Sequence, residues 1–133
     1  MKKILVDTNA YSNLLRGDEN ILDALSKAAI VHMSVIVIGE LLSGFKGGVK
    51  ETYNKKLLQE FIEKPTVNVL DVTIETSEIF AEIKNVLKTS GSPIPINDVW
   101  IAAHAVETGS VLITYDEHFK RIPGIRVFPS GIK

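Results

Sequence analysis

Pro95-Ile96-Asn97-Asp98-Val99-Trp100-Ile101-Ala102-Ala103-His104-Ala105 reads as a short loop feeding a nearly all-apolar helix. Asn97 is a favourable N-cap type, which makes Asp98 the first helical residue. Helical spacing then places Asp98, Ile101, Ala102 and Ala105 on one face. A helix this apolar is buried on most sides. Its single carboxylate therefore stands at the edge of the interior, at the end where the helix dipole favours negative charge. One aspartate in that place does no more than start a helix. It means more if other carboxylates converge on it, and Asp7, Glu40 and Asp116 are the candidates.

Toward the C-terminus, the helix closes at Gly109 and residues 111–114 (Val-Leu-Ile-Thr) form a strand. Tyr115-Asp116 follows, then a short helix to about Arg121 and a last strand over 125–128. On the N-terminal side, Ser90-Gly91-Ser92-Pro93 is the main loop. Before it, 73–88 is a helix with Ile79, Phe80, Ile83, Val86 and Leu87 inward, and 67–70 is a strand. Residues 51–64 form an amphipathic helix with Tyr53, Leu57, Leu58, Phe61 and Ile62 on the apolar side. The helix of Glu40 starts near Ser34 as N-cap and runs to Gly44, after a strand that begins at Ile30. The chain opens with a strand over 3–6, ending at Asp7-Thr8-Asn9. A helix over 10–16 closed by Gly17 comes next, then one opened by Asp18-Glu19 with Ile21, Leu22 and Leu25 inward. Short apolar strands alternating with helices give an α/β fold, a central mostly parallel sheet flanked by helices.

At 133 residues the chain is expected to form one domain over 1–133, large enough for a core without staples. The absence of Cys removes disulfides and thiolate metal sites, and fits a reducing cytoplasm. The start, Met1-Lys2-Lys3-Ile4-Leu5-Val6-Asp7, is too briefly apolar for a signal peptide. No apolar run approaches the roughly 18 residues that span a bilayer, so no membrane partner is expected. A net charge of −1 argues against a globally basic nucleic-acid binder, although a bound cation can bring a phosphate backbone to a neutral protein.

In an open parallel sheet, ligands bind beyond the carboxyl ends of the strands. Asp7 ends the first strand, Asp116 lies two residues past Thr114, Asp98 starts the helix leading to that strand, and Glu40 follows the second strand. All four can reach one edge. Crowded carboxylates raise one another's pKa, so the cluster calls for a cation. Oxygen donors without Cys or a His pair point to Mg²⁺ or Mn²⁺. Such an ion activates water for attack and stabilises charge on phosphoryl oxygens. Thr114 and Asn9 are placed to hydrogen-bond the acids.

With these residues in view, the chain resembles the PIN-domain nucleases, and most of all the VapC-type toxins of toxin–antitoxin pairs. The resemblance rests on Ile4-Leu5-Val6-Asp7-Thr8-Asn9, on Ser34-Val35-Ile36 with Gly39-Glu40-Leu41-Leu42-Ser43-Gly44, on Asn97 to Ala105, and on Leu112-Ile113-Thr114-Tyr115-Asp116-Glu117-His118-Phe119. It implies a three-layer α/β sandwich. It implies Asp7, Glu40, Asp98 and Asp116 as the acidic constellation around Mg²⁺ or Mn²⁺, with Thr114 at the family's hydroxyl position. It further implies endonucleolytic cleavage of RNA (tRNA or rRNA) to a 5′-phosphate and a 3′-hydroxyl. A homodimer, held inactive by a cognate VapB-like antitoxin whose C-terminal segment fills the groove, is also implied. Val37 departs from the polar residue common at its position.

Other residues carry plainer expectations. The spacing of His32, His104 and His118 matches no zinc pattern. Packing or hydrogen bonding suits the first two and an exposed position the third. Trp100 lies about 200° around the helix from Asp98, in the core or at a dimer contact. The lysines of 46–64 with Arg16 could track RNA or merely solvate a helix face. Tyr53 fits the core and Tyr115 could stack on a base. Competing functions are a stand-alone PIN-like nuclease in RNA processing, a structure-specific DNA nuclease, a phosphoacceptor module and a binding protein with an inert site.

Overall fold

The computed structural model describes residues 2–129. Its elements in order are β1 (Lys3–Val6), α1 (Thr8–Leu15), α2 (Glu19–Lys27), β2 (Ile30–Ser34), α3 (Val35–Phe45), α4 (Glu51–Ile62), β3 (Val67–Leu70), α5 (Ile74–Ser90), α6 (Ile96–Thr108), β4 (Val111–Ile113) and β5 (Arg126–Phe128), with a 3₁₀ turn at Glu117–Arg121 before the last strand. The five strands form one sheet in the order β3-β2-β1-β4-β5, and every pairing is parallel. The sheet expected as mostly parallel is wholly so. Each strand therefore needs a crossover; helices supply it up to β4, and the 3₁₀ turn at Glu117–Arg121 supplies the last one to β5.

β1 is central because its Ile4, Leu5 and Val6 are apolar on both faces, and all three are fully buried. The chain first runs outward from β1 to β2 and β3. It then returns to the other side of β1 to lay down β4 and β5. The crevice of a parallel sheet opens where the direction of winding reverses, here between β1 and β4. Val6 pairs with Ile113 in that ladder. The next residues, Asp7 and Thr114, are thereby brought side by side, Asp7 N–H donating to the Ile113 carbonyl at 3.2 Å.

The helices are fixed by caps. Ser34 accepts from Ile36 N–H and starts α3, as its sequence suggests. Thr73 and Thr76 form a reciprocal box at the start of α5. Gly91 and Gly109, at φ 68° and 65°, end α5 and α6 in the left-handed conformation that favours glycine. These two helices make the most extensive helix pair. Phe80 and Trp100 stack between them with centroids 3.8 Å apart, so Trp100 packs in this seam, half-buried. Tyr11 meets Phe61 edge-on at 5.2 Å, tying α1 to α4.

Several expectations fail for reasons of angle. Tyr53 is 60% exposed. It precedes the buried Leu58 by five residues, about 140° around α4, and points off the packed stripe. Leu22 and Val86 are exposed because each sits one residue, about 100°, from the buried face of its helix. α1 starts at Thr8, two residues earlier than expected, since Asp7 caps it by accepting from Ala10 N–H at 2.8 Å. Val37 is fully buried, so an apolar residue there serves the core. His32 and His104 do hydrogen-bond as expected. Asn68 donates its side-chain amide to His32 Nδ1 at 3.1 Å, and His104 Nε2 lies 3.0 Å from the Asp71 carbonyl.

Leu112, fully buried in β4, tests the core. Leu112→Ala should lower the unfolding free energy by about 2–5 kcal/mol in urea titrations. A change under ~1 kcal/mol would show that the sheet centre repacks freely.

Candidate active site

At the β1/β4 crevice a cavity of about 200 Å³ is lined by Asp7, Thr8, Asn9, Glu40, Asp98, Ile101 and Asp116. The four carboxylates singled out in the sequence thus share one small space. Each arrives by a different device. Asp7 leaves β1 and caps α1. Glu40 stands in α3, whose start is pinned by Ser34. Asp98 lies in the first turn of α6, and Asp116 caps the 3₁₀ turn after β4 by accepting from His118 N–H at 2.9 Å.

Their oxygens are held by named donors. The Thr114 hydroxyl donates to Asp7 Oδ2, and Ala10 N–H occupies Oδ1. Asp116 N–H donates to Thr114 Oγ1 at 2.9 Å, so one hydroxyl links two of the acids. Glu40 is gripped from both sides, by the Thr8 hydroxyl at Oε1 and the Asn97 amide at Oε2, the latter at 3.0 Å.

Two assignments change here. α6 starts at Ile96 behind Pro95, whose carbonyl accepts from Asp98 and Val99 N–H. Asn97 is therefore inside the helix and not its N-cap, which frees its side chain for Glu40. Thr8, and not Asn9, makes the hydrogen bond to an acid, while Asn9 stays exposed at the cavity wall. On α1 these neighbours differ by about 100°, enough to exchange their roles.

His118 is the larger surprise. Its side chain is 40% exposed, but Nδ1 turns inward, 3.1 Å from Asp116 Oδ1 and 3.5 Å from Asp98 Oδ2. The cap at Asp116 causes this, because it folds the chain back over its own carboxylate. A five-residue 3₁₀ turn has no apolar period from which that direction could be read.

The electrostatics follow from burial. Asp7 is pushed up to about 6, first by desolvation and only secondarily by the charges of Asp98 and Asp116; the bonds from Thr114 and Ala10 pull the other way. Asp98 is also raised, by burial first and then by Asp116 and Glu40, with the His118 ring opposing. The acids do raise one another as expected, and loss of water adds a larger push in the same direction. A buried acid that resists ionisation, ringed by further carboxylates, is a site that a hard divalent cation would relieve. The donor set of carboxylate oxygens fits such an ion.

The PIN domain model matches residues 4–125 of the sequence. This chain is a PIN domain protein. Ribonuclease VapC1 of Haemophilus influenzae is 30% identical over 128 residues, which cover 92% of this chain and 93% of the relative. The tRNA(fMet)-specific endonuclease VapC of Salmonella typhimurium is 28% identical over 130 residues, covering 96% and 97%. Among solved structures, DNA-bound VapBC from Salmonella typhimurium matches with a TM-score of 0.85 at 28% identity, over 96% of this chain and 97% of that one. Among the described residues, the all-parallel sheet and six helices are the PIN-like fold of these structures. Among the described residues of this PIN domain, no helix is long and apolar enough to cross a membrane.

Proposed function

We propose that this PIN domain is a divalent-metal-dependent endoribonuclease, the toxin of a VapBC-type pair, acting on RNA as a homodimer until a cognate antitoxin restrains it. The observation that carries the reading is the cavity of four carboxylates at the β1/β4 crevice. The names of the relatives, ribonuclease VapC1 and tRNA(fMet)-specific endonuclease VapC, support the substrate class. Solved VapBC complexes support the antitoxin partner. Asp7, Glu40, Asp98 and Asp116 would hold Mg²⁺ or Mn²⁺. That ion supplies charge stabilisation at the phosphoryl oxygens and lowers the pKa of water.

The chain's own residues then position and exchange protons. A carboxylate at the cavity wall accepts a proton from the attacking water. The water oxygen joins phosphorus as the P–O3′ bond breaks, leaving a 5′-phosphate on one fragment. The departing O3′ takes up a proton and becomes a hydroxyl. Thr114, Thr8 and Asn97 keep the acids aimed by occupying the oxygens that would otherwise rotate. Among the described residues, the same cavity wall has no lysine to stabilise an acyl phosphate, which separates this reading from a phosphoacceptor.

Incubation of the purified protein with tRNA tests the proposal. Cleavage should require Mg²⁺ or Mn²⁺, stop with EDTA, and yield fragments with 5′-phosphates. Chelator-resistant cutting with cyclic 2′,3′-phosphate ends would overturn it. Coexpression with the product of a neighbouring short reading frame should abolish cutting.

A further inference from the structure

We propose that His118 supplies a nitrogen ligand to the divalent ion of this site and biases the protein toward Mn²⁺ over Mg²⁺. The inference rests on the metal-site reading above and extends it to a residue outside the acidic set. Three observations carry it. First, Nδ1 of His118 and one oxygen each of Asp98 and Asp116 all lie within 4.8 Å of one another. Donors at about 2.1 Å from an octahedral ion stand about 3.0 Å apart when adjacent and about 4.2 Å when opposite. The separations of 3.1 and 3.5 Å from Nδ1 fall in that range. Second, Nδ1 is shut off from solvent yet makes no well-directed hydrogen bond. With the ring hydrogen on Nε2, Nδ1 would present its lone pair to a common third centre shared with the two carboxylates it approaches. Third, the position is built by the backbone, because the Asp116 cap fixes the His118 N–H at 2.9 Å and so the root of the side chain.

The chemistry sets the preference. Mg²⁺ takes oxygen donors and sheds water reluctantly. Imidazole favours transition metals, and Mn²⁺ accepts it more readily than Mg²⁺ does. A site with one nitrogen among its oxygens therefore separates two ions that an all-carboxylate site would treat more alike. In the tautomer required, Nδ1 binds the ion and Nε2 keeps its hydrogen.

The test uses untagged full-length protein loaded with Mn²⁺. Electron spin-echo modulation should show ¹⁴N coupling from a directly bound imidazole, and the coupling should vanish in His118→Ala and His118→Gln. Calorimetry should show the ratio of Mn²⁺ to Mg²⁺ affinity falling by at least about tenfold in both variants. Thermal unfolding of the metal-free variants checks that the fold is intact. Bound Mn²⁺ without ¹⁴N coupling, or an unchanged affinity ratio, overturns the role of His118; continued Mn²⁺-dependent RNA cleavage would then leave the nuclease reading standing. Failure of the parent protein to bind either ion overturns both.

Discussion

Asp98→Asn should reduce metal-dependent RNA cleavage by at least about 100-fold while changing stability by less than ~1 kcal/mol. The two effects separate because Asp98 holds no turn in place. The start of α6 is made by Pro95, whose carbonyl takes the first N–H groups. Beyond its contact with His118, the carboxylate adds only its interaction with the helix dipole, which an amide largely forgoes. For catalysis the loss is severe. The charge faces Asp116 and the cavity, and on the proposed function several kcal/mol of charge stabilisation at the phosphoryl group would depend on holding an ion there. Initial-rate assays with Mn²⁺, alongside urea unfolding, give both numbers. A variant that cuts as fast as its parent would remove Asp98 from the site.

Without a bound cation, the protein should be sensitive to pH through Asp7. Its folded pKa, about 6, lies above the ordinary 3.8. The folded state therefore binds a proton more tightly than the unfolded chain. The resulting stabilisation is complete below about pH 4 and is lost as pH rises through about 6. Across that window the shift corresponds to about 3 kcal/mol. His32 acts in the opposite sense. Burial and the nearby Lys3 lower its pKa, so its share is present above the ordinary 6.5 and is lost as pH falls below it. The difference between the parent and Asp7→Asn isolates Asp7. Asn pairs less well with Ala10 N–H and the Thr114 hydroxyl, but that deficit does not vary with pH. In EDTA, unfolding free energies at pH 4.5 and 7.5 should show the parent losing about 2 kcal/mol relative to Asp7→Asn. Mn²⁺ should restore the parent at pH 7.5, as any ligand of the folded state must. Parallel pH profiles in EDTA would mean that Asp7 ionises without strain.

The placement of the acids was readable because strand ends are readable. An apolar run that stops at Asp7, and another that stops at Thr114, mark where a parallel sheet presents its ligand edge. The register that sets Val6 beside Ile113 turns that coarse placement into contact. Smaller angular facts were beyond it. Asn97 has the composition of a cap, yet Pro95 takes that duty, and sequence preference alone cannot rank the two. The choice between Thr8 and Asn9 depends on where α1 begins, which the capping carboxylate decides. Tyr53 went astray because only the later half of α4 places its stripe, Leu58 and Phe61, in the core. The direction of His118 depends on a tight turn with no repeating pattern to consult.

Two of the four acids also fasten the scaffold. Asp7 anchors α1 and Asp116 anchors the turn after β4, each through a backbone N–H. Glu40 and Asp98 fasten nothing of that kind. A descendant of this gene kept for some duty other than cutting would therefore shed its danger most safely at Glu40 or Asp98. At the other two positions, disarmament and misfolding travel together.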